Sequence, residues 1–233
     1  VVDTGTYWSV FGQAVILVLI QIGGMGVVTV AAAVTIVSGR KIGLMQRSTM
    51  QEAVAAPKMS GIVRLTGFII RATLLIELSG AALLAPVFCR DFGLIRGLWM
   101  AMFHSISAFC NAGIDLMGIR IPFSSLTLYA ANPLVNLVIM ALIIIGGIGF
   151  LTWEDIRSNQ LHFSRYRMQS KVILTTTAIL ILFPALYFYF GEFRQGSFGI
   201  RLLLSLFQSV TPRTAGFNTA DFSQLSASGQ MLT

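Results

Sequence analysis

The chain has 233 residues, of which 55% are hydrophobic and only 11% are charged, and its formal net charge is +7. A soluble domain usually carries about 25% charged residues, so this chain has too few to cover the surface of a soluble enzyme. The same composition excludes a disordered chain and a disulfide scaffold. The two cysteines, Cys89 and Cys110, match no metal-binding spacing. We therefore expect an all-α polytopic membrane protein.

Apolar runs follow one another along the chain. An α-helix needs roughly 20 residues to cross the hydrocarbon layer, and four of the runs reach that length. Two further runs, about Leu94–Phe109 and Phe198–Val210, reach only part-way across. The four predicted full spans cover about Tyr7–Ser38, Ile62–Phe88, Leu126–Trp153 and Val172–Phe190.

Two loops carry more than half of the basic residues. Gly39–Arg64 holds five basic residues and one acid, and Glu154–Lys171 holds four basic residues and two acids. The positive-inside rule places both loops in the cytoplasm, which requires an even number of full spans between them. The two short runs are therefore predicted to be re-entrant half-helices that enter from outside. This orientation signal accounts for the +7 charge without a nucleic-acid partner, and the loops are expected to face anionic lipid or a docked subunit.

The chain also contains a parallel internal repeat. Two glycine-rich octads, Ile22–Thr29 and Ile145–Thr152, each lie near the cytoplasmic end of a long run. Close helix packing is the favoured role for their glycines, with a hinge as the second interpretation. The third glycine of a dinucleotide fingerprint is missing. The half-helices match as well, since Leu98–Ser107 aligns with Leu202–Thr211, and each is followed by an Ala-Gly pair.

The repeated turn has the chemistry of a cation site. A half-helix that enters from outside points its C-terminus, with about half an elementary negative charge, at the membrane centre. Glycine permits a positive φ, so successive carbonyls can face one axis and replace the hydration shell of an ion. Asp115 is predicted to lie at an outer mouth that attracts cations or to be a solvated loop acid. The predicted filter residues are Asn111, Ala112, Gly113, Thr214, Ala215 and Gly216.

Other polar residues in apolar surroundings have both structural and functional interpretations. Glu77 lies inside a predicted span and has either a buried structural partner or a role in ion passage. Arg213 is expected to face away from the filter and to hold its loop by hydrogen bonds. His104 is expected to pack against neighbouring spans, because no second metal ligand is spaced with it. The sequence has no recognisable nucleophile, base and orienter, so we expect a protein that is not an enzyme.

Phe103–Gly113 and Phe207–Thr219 resemble the pore loops of the Trk/Ktr/HKT superfamily of potassium transporters, and Val1–Thr4 looks like the segment after that family's first pore loop. The resemblance implies tandem membrane–pore-loop–membrane repeats, four in one subunit, of which this chain would be a central fragment. It assigns 1–38 to the second span of repeat one, 39–61 to a cytoplasmic linker, 62–153 to repeat two, 154–171 to a second linker and 172–233 to a truncated start of repeat three.

The same resemblance implies a function and partners. It implies potassium translocation through a carbonyl-lined selectivity filter in a multi-pass protein of a bacterial or archaeal plasma membrane. The alternatives are a sodium-permeable member of the family and a secondary symporter with broken helices, which would show inverted repeats. The resemblance also implies a homodimer and a cytosolic regulatory subunit that binds ATP, ADP or NAD. No cofactor is expected in this chain; K⁺ is the expected cargo, with Na⁺ as the alternative.

Overall fold

A computed structural model describes residues 2–26, 29–30, 43–54, 62–160, 162–194, 196–220 and 225–232. Within these ranges every regular element is helical. The α-helices are α1 (Thr4–Tyr7), α2 (Val10–Met25), α3 (Leu44–Val54), α4 (Ile62–Phe92), α5 (Leu94–Phe109), α6 (Pro133–Gly147), α7 (Phe150–Asn159), α8 (Met168–Tyr187), α9 (Phe198–Thr214) and α10 (Ala227–Leu232). Short 3₁₀ turns cover Met117–Ile119, Thr127–Tyr129 and Phe163–Arg165, and a π turn at Phe188–Glu192 continues α8.

Two of the described helices are long and apolar enough to cross a membrane by themselves. They are Val63–Phe92 within α4 and Met168–Glu192, which joins α8 to its π turn. They correspond to the second and fourth predicted spans. Large apolar side chains on α8, such as Leu182 and Phe183, are exposed, which is the arrangement expected of a surface in contact with lipid.

The third predicted span is not one straight helix. Leu126–Trp153 begins in a 3₁₀ turn, continues as α6 and α7, and bends by 97° between them. Gly149 has a φ of +82° at the bend, a conformation that glycine adopts without steric cost. The predicted third span therefore contains two helices joined by a sharp bend, because the second octad ends α6 and starts α7.

The first octad interrupts its helix at the corresponding glycine. The helix α2 ends at Met25, and Gly26 follows with a φ of +81°. With 16 residues, α2 is shorter than a full span. Residues 27–28 and 31–38 of the predicted first span lie outside the described residues. Both octads therefore interrupt a helix at the same position of the repeat. Their glycines have this role in addition to the packing role that we favoured.

The two short helices lie in the middle of the packed helices. The bounds of α5 equal those of the predicted half-helix, whereas α9 continues to Thr214, four residues beyond its predicted end. The helix α5 packs against α2, α4 and α6, and α9 packs against α6 and α8. The aromatic core comes largely from these contacts and includes Phe88, Phe103, Phe207 and Phe217, all at most 1% exposed. The helix α6 therefore connects the two repeats.

The basic loop between α7 and α8 is held by its own acids. Arg167 forms ion pairs with Glu154 at 2.7 Å and with Asp155 at 3.4 Å. The Asp155 carboxylate also accepts hydrogen bonds from the Ser170 hydroxyl, at 2.5 Å, and from the Arg167 backbone N–H, at 3.0 Å. Asp155 is 3% exposed, so this corner is fixed by a charged group that has several partners. Of the predicted linker 39–61, only 43–54 is described.

Gly97 gives a direct test of how closely α5 packs on α4. A Cβ atom at this position would collide with the backbone of Cys89, and overpacking of this kind usually costs about 1–3 kcal/mol. We expect Gly97→Ala to lower the melting temperature of the detergent-solubilised full-length protein. Gly67→Ala is the matched control, because a Cβ at Gly67 meets nothing within 4 Å. Equal melting temperatures for the two variants would contradict this packing.

Candidate functional site

The segments that follow α5 and α9 meet at one cavity of about 440 Å³. It is lined by Asn111, Ala112, Thr211, Pro212, Thr214, Ala215, Gly216 and Asn218. All eight side chains are uncharged, and most of the polar atoms available are backbone carbonyls, hydroxyls and amides. Asn111 lies two residues after the end of α5, and Ala215 directly follows α9, so the cavity lies at the negative ends of two helix dipoles.

The first segment leaves α5 through two residues with a positive φ. Asn111 has a φ of +54° and Gly113 a φ of +67°. Backbone hydrogen bonds from Asn111 N–H to the Ala108 carbonyl (3.1 Å) and from Ala112 N–H to the Ser107 carbonyl (2.9 Å) close the turn. The chain then runs on in extended form, and its direction is set by the Ser107 hydroxyl, which donates to the Ile114 carbonyl at 2.6 Å.

The second segment repeats this arrangement. The N–H groups of Ala215 and Gly216 both donate to the Thr211 carbonyl, at 3.0 and 3.4 Å. Gly216 has a φ of +88°. The Thr211 hydroxyl then donates to the Phe217 carbonyl at 2.5 Å. In both segments, a buried hydroxyl in the last turn of the short helix holds the carbonyl of the residue that follows the glycine.

A second pair of hydroxyls fixes each short helix to the preceding long helix. Ser105 donates to the Glu77 carbonyl at 2.6 Å, and Ser209 donates to the Ile181 carbonyl at 2.5 Å. The donor and acceptor lie 28 residues apart in both cases. The two halves of the site therefore share a scaffold in register, as the sequence repeat predicts.

The two segments also contact each other. The Thr214 hydroxyl donates to Asn111 Oδ1 at 2.9 Å. Gly113 lies so close to the Ala215 carbonyl that a Cβ atom would overlap its oxygen. Five of the six predicted filter residues thus line the cavity, and the sixth, Gly113, forms the contact between the segments. Thr214 is still part of α9, so the second non-helical segment begins one residue later than the pattern predicts.

The glycines of the octads lie behind these segments. A Cβ atom at Gly24 would overlap the Cys110 side chain, and one at Gly146 would overlap the Phe109 carbonyl. Small residues allow membrane helices to approach one another this closely. The octads therefore bring α2 and α6 against the last turn of α5, next to the cavity.

Three polar residues singled out from the sequence lie around the site. His104 is fully buried and packs against the rings of Phe88 and Phe217. Its Nε2 accepts a hydrogen bond from the Leu116 N–H at 3.3 Å. The proton therefore lies on Nδ1, which donates to the Met100 carbonyl at 2.7 Å. The packing role expected for His104 agrees with this environment. Arg213 donates to the Thr177 hydroxyl at 3.2 Å, which fits its expected role in holding the loop.

Asp115 lies beside the segment rather than among the described residues that line the cavity. Its Oδ1 accepts from the Met117 N–H at 2.9 Å. This contact joins Asp115 to the first residue of the following 3₁₀ turn. Asp115 is also partly buried and not fully solvated. Its role as an acid of the outer mouth stays a prediction.

Sequence reasoning missed the residues that support the two segments. Ser107 and Thr211 are paired in the repeat alignment and both carry a hydroxyl group. This shared hydroxyl could have indicated their supporting role. Ser125 and Asn218 had no such signal: the Asn218 N–H donates to Ser125 Oγ at 3.0 Å, and the Leu126 N–H donates to the Asn218 carbonyl at 2.8 Å. They join loops 93 residues apart, which no local pattern reveals.

The comparison with known proteins shows the family of the chain. The profile of the TrkH family, described as "Cation transport protein", matches residues 1–233. The chain belongs to the TrkH family of cation transport proteins. As a TrkH-family chain with apolar helices, it is a multi-pass protein of the cell membrane and not an enzyme.

Relatives of this TrkH-family chain have related names. It is 36% identical over 236 residues to the "Potassium/sodium uptake protein NtpJ" of Enterococcus hirae, covering 99% of this chain and 51% of the relative. It is 40% identical over 231 residues to the "Ktr system potassium uptake protein B" of Bacillus subtilis, covering 97% and 51%. For the protein of the same name in Vibrio alginolyticus, the identity is 32%, covering 96% and 50%. The chain therefore spans about half the length of these relatives.

The hydroxyl of Ser107 tests whether the first segment is held from behind. Ser107→Ala leaves the Ile114 carbonyl without its donor, and a buried group that loses its partner costs about 1–3 kcal/mol. We expect a lower melting temperature for the full-length protein in detergent, and the same direction for Thr211→Val. Ser79→Ala is the control, because the Ser79 hydroxyl is exposed and donates to Ile76 within its own helix. If all three variants melt like the wild type, these hydrogen bonds do not support the segments.

Proposed function

We propose that this chain forms part of a pore that translocates potassium ions across the cell membrane through a filter lined by backbone carbonyls. Asn111, Ala112 and Gly113 would supply one element of the filter, and Thr214, Ala215 and Gly216 a second. The observation that carries this proposal is the meeting of two equivalent segments at one cavity, each behind the C-terminus of a half-helix. Membership in a cation transport family supports it.

The chemistry of the cavity fits a weakly bound monovalent cation. Two helix C-termini supply a negative potential, and carbonyl and hydroxyl oxygens can replace the hydration shell of an ion. The cavity has no charged side chain among its lining residues, so the cation would be held by dipoles. Such binding is favourable enough for entry and weak enough for release.

The whole pore would need more than this chain. Two segments cannot surround an ion, and the chain spans about half the length of its relatives. We propose that the full-length protein contains four membrane–pore-loop–membrane repeats, with two further segments that complete the ring. We further propose that it works as a homodimer with a cytosolic subunit that binds ATP, ADP or NAD, and that the membrane chain itself uses no cofactor.

A sodium-permeable pore is the second candidate. It is favoured by the printed name of the Enterococcus hirae relative, which includes both potassium and sodium. The parallel repeat and the inward half-helix C-termini favour a pore, for either cation, over the third candidate, a secondary symporter with inverted repeats. Uptake of K⁺ and Na⁺ by the full-length protein, each measured alone and in competition, separates the two ions.

The two glycines of the proposed filter give the main functional test. In the full-length protein expressed in cells that lack potassium uptake, we expect Gly113→Ser and Gly216→Ser to reduce growth at low potassium. We also expect both to change the ratio of K⁺ to Na⁺ uptake. At Gly113 the side chain would collide with the Ala215 carbonyl; at Gly216 it would be strained by about 1–2 kcal/mol, because φ is +88°.

Gly199→Ser is the matched control for the glycine test. It lies in the first turn of α9, where a Cβ atom meets nothing within 4 Å, so uptake should match that of the wild type. Unchanged selectivity and uptake in both filter variants, at normal protein amounts in the membrane, would remove these glycines from the filter.

A further inference from the structure

Glu77 is a buried acid inside the membrane-spanning helix α4. Glu77 is only 4% exposed. It lines a groove of about 300 Å³ whose other lining residues, apart from Gln21, are apolar and include Leu17, Leu74 and Met102. A carboxyl group in such a place carries a large desolvation cost unless nearby groups offset it. The contacts of the Glu77 carboxyl group therefore indicate which neighbouring groups offset this desolvation cost.

The described partners of the carboxyl group come from two other helical elements. Gln21 Nε2 of α2 lies 2.9 and 3.1 Å from the two carboxyl oxygens, and Cys110 Sγ, directly after α5, lies 3.8 Å from one of them. Among the described residues, no lysine or arginine forms an ion pair with Glu77. Arg71, the neighbour considered from the sequence, is exposed.

This cluster supports the start of the first cavity segment. Cys110 directly precedes Asn111, which holds a φ of +54° and lines the cavity. A non-glycine residue keeps this conformation only where its surroundings fix it. Cys110 is held by Glu77 on one side and by the close approach of Gly24 on the other. The Glu77 carbonyl also accepts from the hydroxyl of Ser105, five residues before Cys110.

The position of the carboxyl group also has an electrostatic consequence. It lies at the C-terminal end of α5, where the helix dipole is already negative. When the carboxyl group is ionised, it has no described basic partner, and a nearby cation would offset its charge in a medium of low dielectric constant. A cation in the cavity would therefore favour the ionised form of Glu77, and the ionised form would favour the cation.

We propose that Glu77 is a positioning residue for the cation site: together with Gln21 it holds the Cys110–Asn111 turn from behind and increases the affinity of the cavity for a monovalent cation. This inference rests on the proposed function, because it needs a cation in that cavity. In this proposal Glu77 does not contact the ion; it affects ion binding by holding the backbone of the proposed filter in position. The repeat-equivalent position in α8 is Ile181, so only the first segment has this support.

The test uses the full-length protein in detergent and measures its melting temperature against KCl concentration, with choline chloride keeping the ionic strength constant. Ligand binding to the folded state raises the melting temperature, so the midpoint of this rise reports the apparent K⁺ affinity. We expect Glu77→Gln to move the midpoint to K⁺ concentrations roughly two- to tenfold higher, the effect of losing one buried hydrogen bond. Glu52→Gln, which removes an exposed carboxyl group from α3, should leave the midpoint unchanged.

Exchanging the two side chains separates a positioning role of Glu77 from a purely structural one. The double variant Gln21→Glu with Glu77→Gln keeps one amide, one carboxyl group and their hydrogen bond, so we expect most of the K⁺ affinity to return. If Glu77→Gln does not fold, Gln21→Leu takes its place and is expected to shift the midpoint in the same direction. Uptake assays in cells should rank the variants in the same order of apparent K⁺ affinity, with the KM for K⁺ changing more than the maximal rate.

The outcomes distinguish the inference from the proposed function. If Glu77→Gln lowers the melting temperature equally at all K⁺ concentrations and leaves the midpoint unchanged, Glu77 is only structural and the inference is wrong. If the wild type shows no rise with K⁺ and takes up no K⁺, the proposed function fails and the inference fails with it. A shift for Gly113→Ser but none for Glu77→Gln overturns the inference alone.

Discussion

The constraint on which this fold depends is that non-helical backbone at membrane depth must find its hydrogen-bond partners inside the protein. The segments after α5 and α9 leave the helical ladder next to the cavity, and their polar groups need other partners. Hydroxyl groups supply several of these: Ser107 and Thr211 hold the carbonyls after the two glycines. The remaining carbonyl oxygens are then free to face the cavity, as the proposed cation filter requires.

The close approach of the neighbouring helices follows from the same constraint. A buried segment without a helical ladder must be enclosed on all sides, and side chains on the enclosing helices would keep them at a distance. Gly24 and Gly146 remove those side chains at the points of contact with Cys110 and Phe109. The next glycines, Gly26 and Gly149, then turn the chain away with a positive φ. One short motif therefore combines close contact with a helix break, and this combination explains its repetition.

The sequence predicted the parts of this fold that depend on local composition. The α5 boundaries, the second and fourth spans and the parallel repeat follow from runs of apolar residues and from matching strings. A hinge at the octad glycines was only the second interpretation, because hydropathy does not change at Gly149 and a glycine in an apolar run fits packing as well as a break. Similarly, the Ser125–Asn218 contact joins distant loops, and its geometry depends on the folded arrangement of both repeats.

The candidate site shows the same division between local pattern and three-dimensional contact. Its glycines and their neighbours were found from the repeat, yet the partners of Glu77 were not, since Gln21 lies 56 residues away. The two halves of the site also differ. His104 accepts from the Leu116 N–H behind the first segment, whereas both amide atoms of the repeat-equivalent Gln208 are buried without a partner among the described residues.

This difference between the halves has a physical consequence. A buried amide without partners costs about 1–3 kcal/mol, so the second segment is less well supported than the first by the part of the chain that the structure describes. The second turn is also one residue shorter between its hydroxyl and the carbonyl that the hydroxyl holds. The pseudo-symmetry of the repeats gives the two segments of the proposed filter the same backbone contacts, while unequal supporting contacts, such as those of Glu77 and His104, make the two segments chemically different.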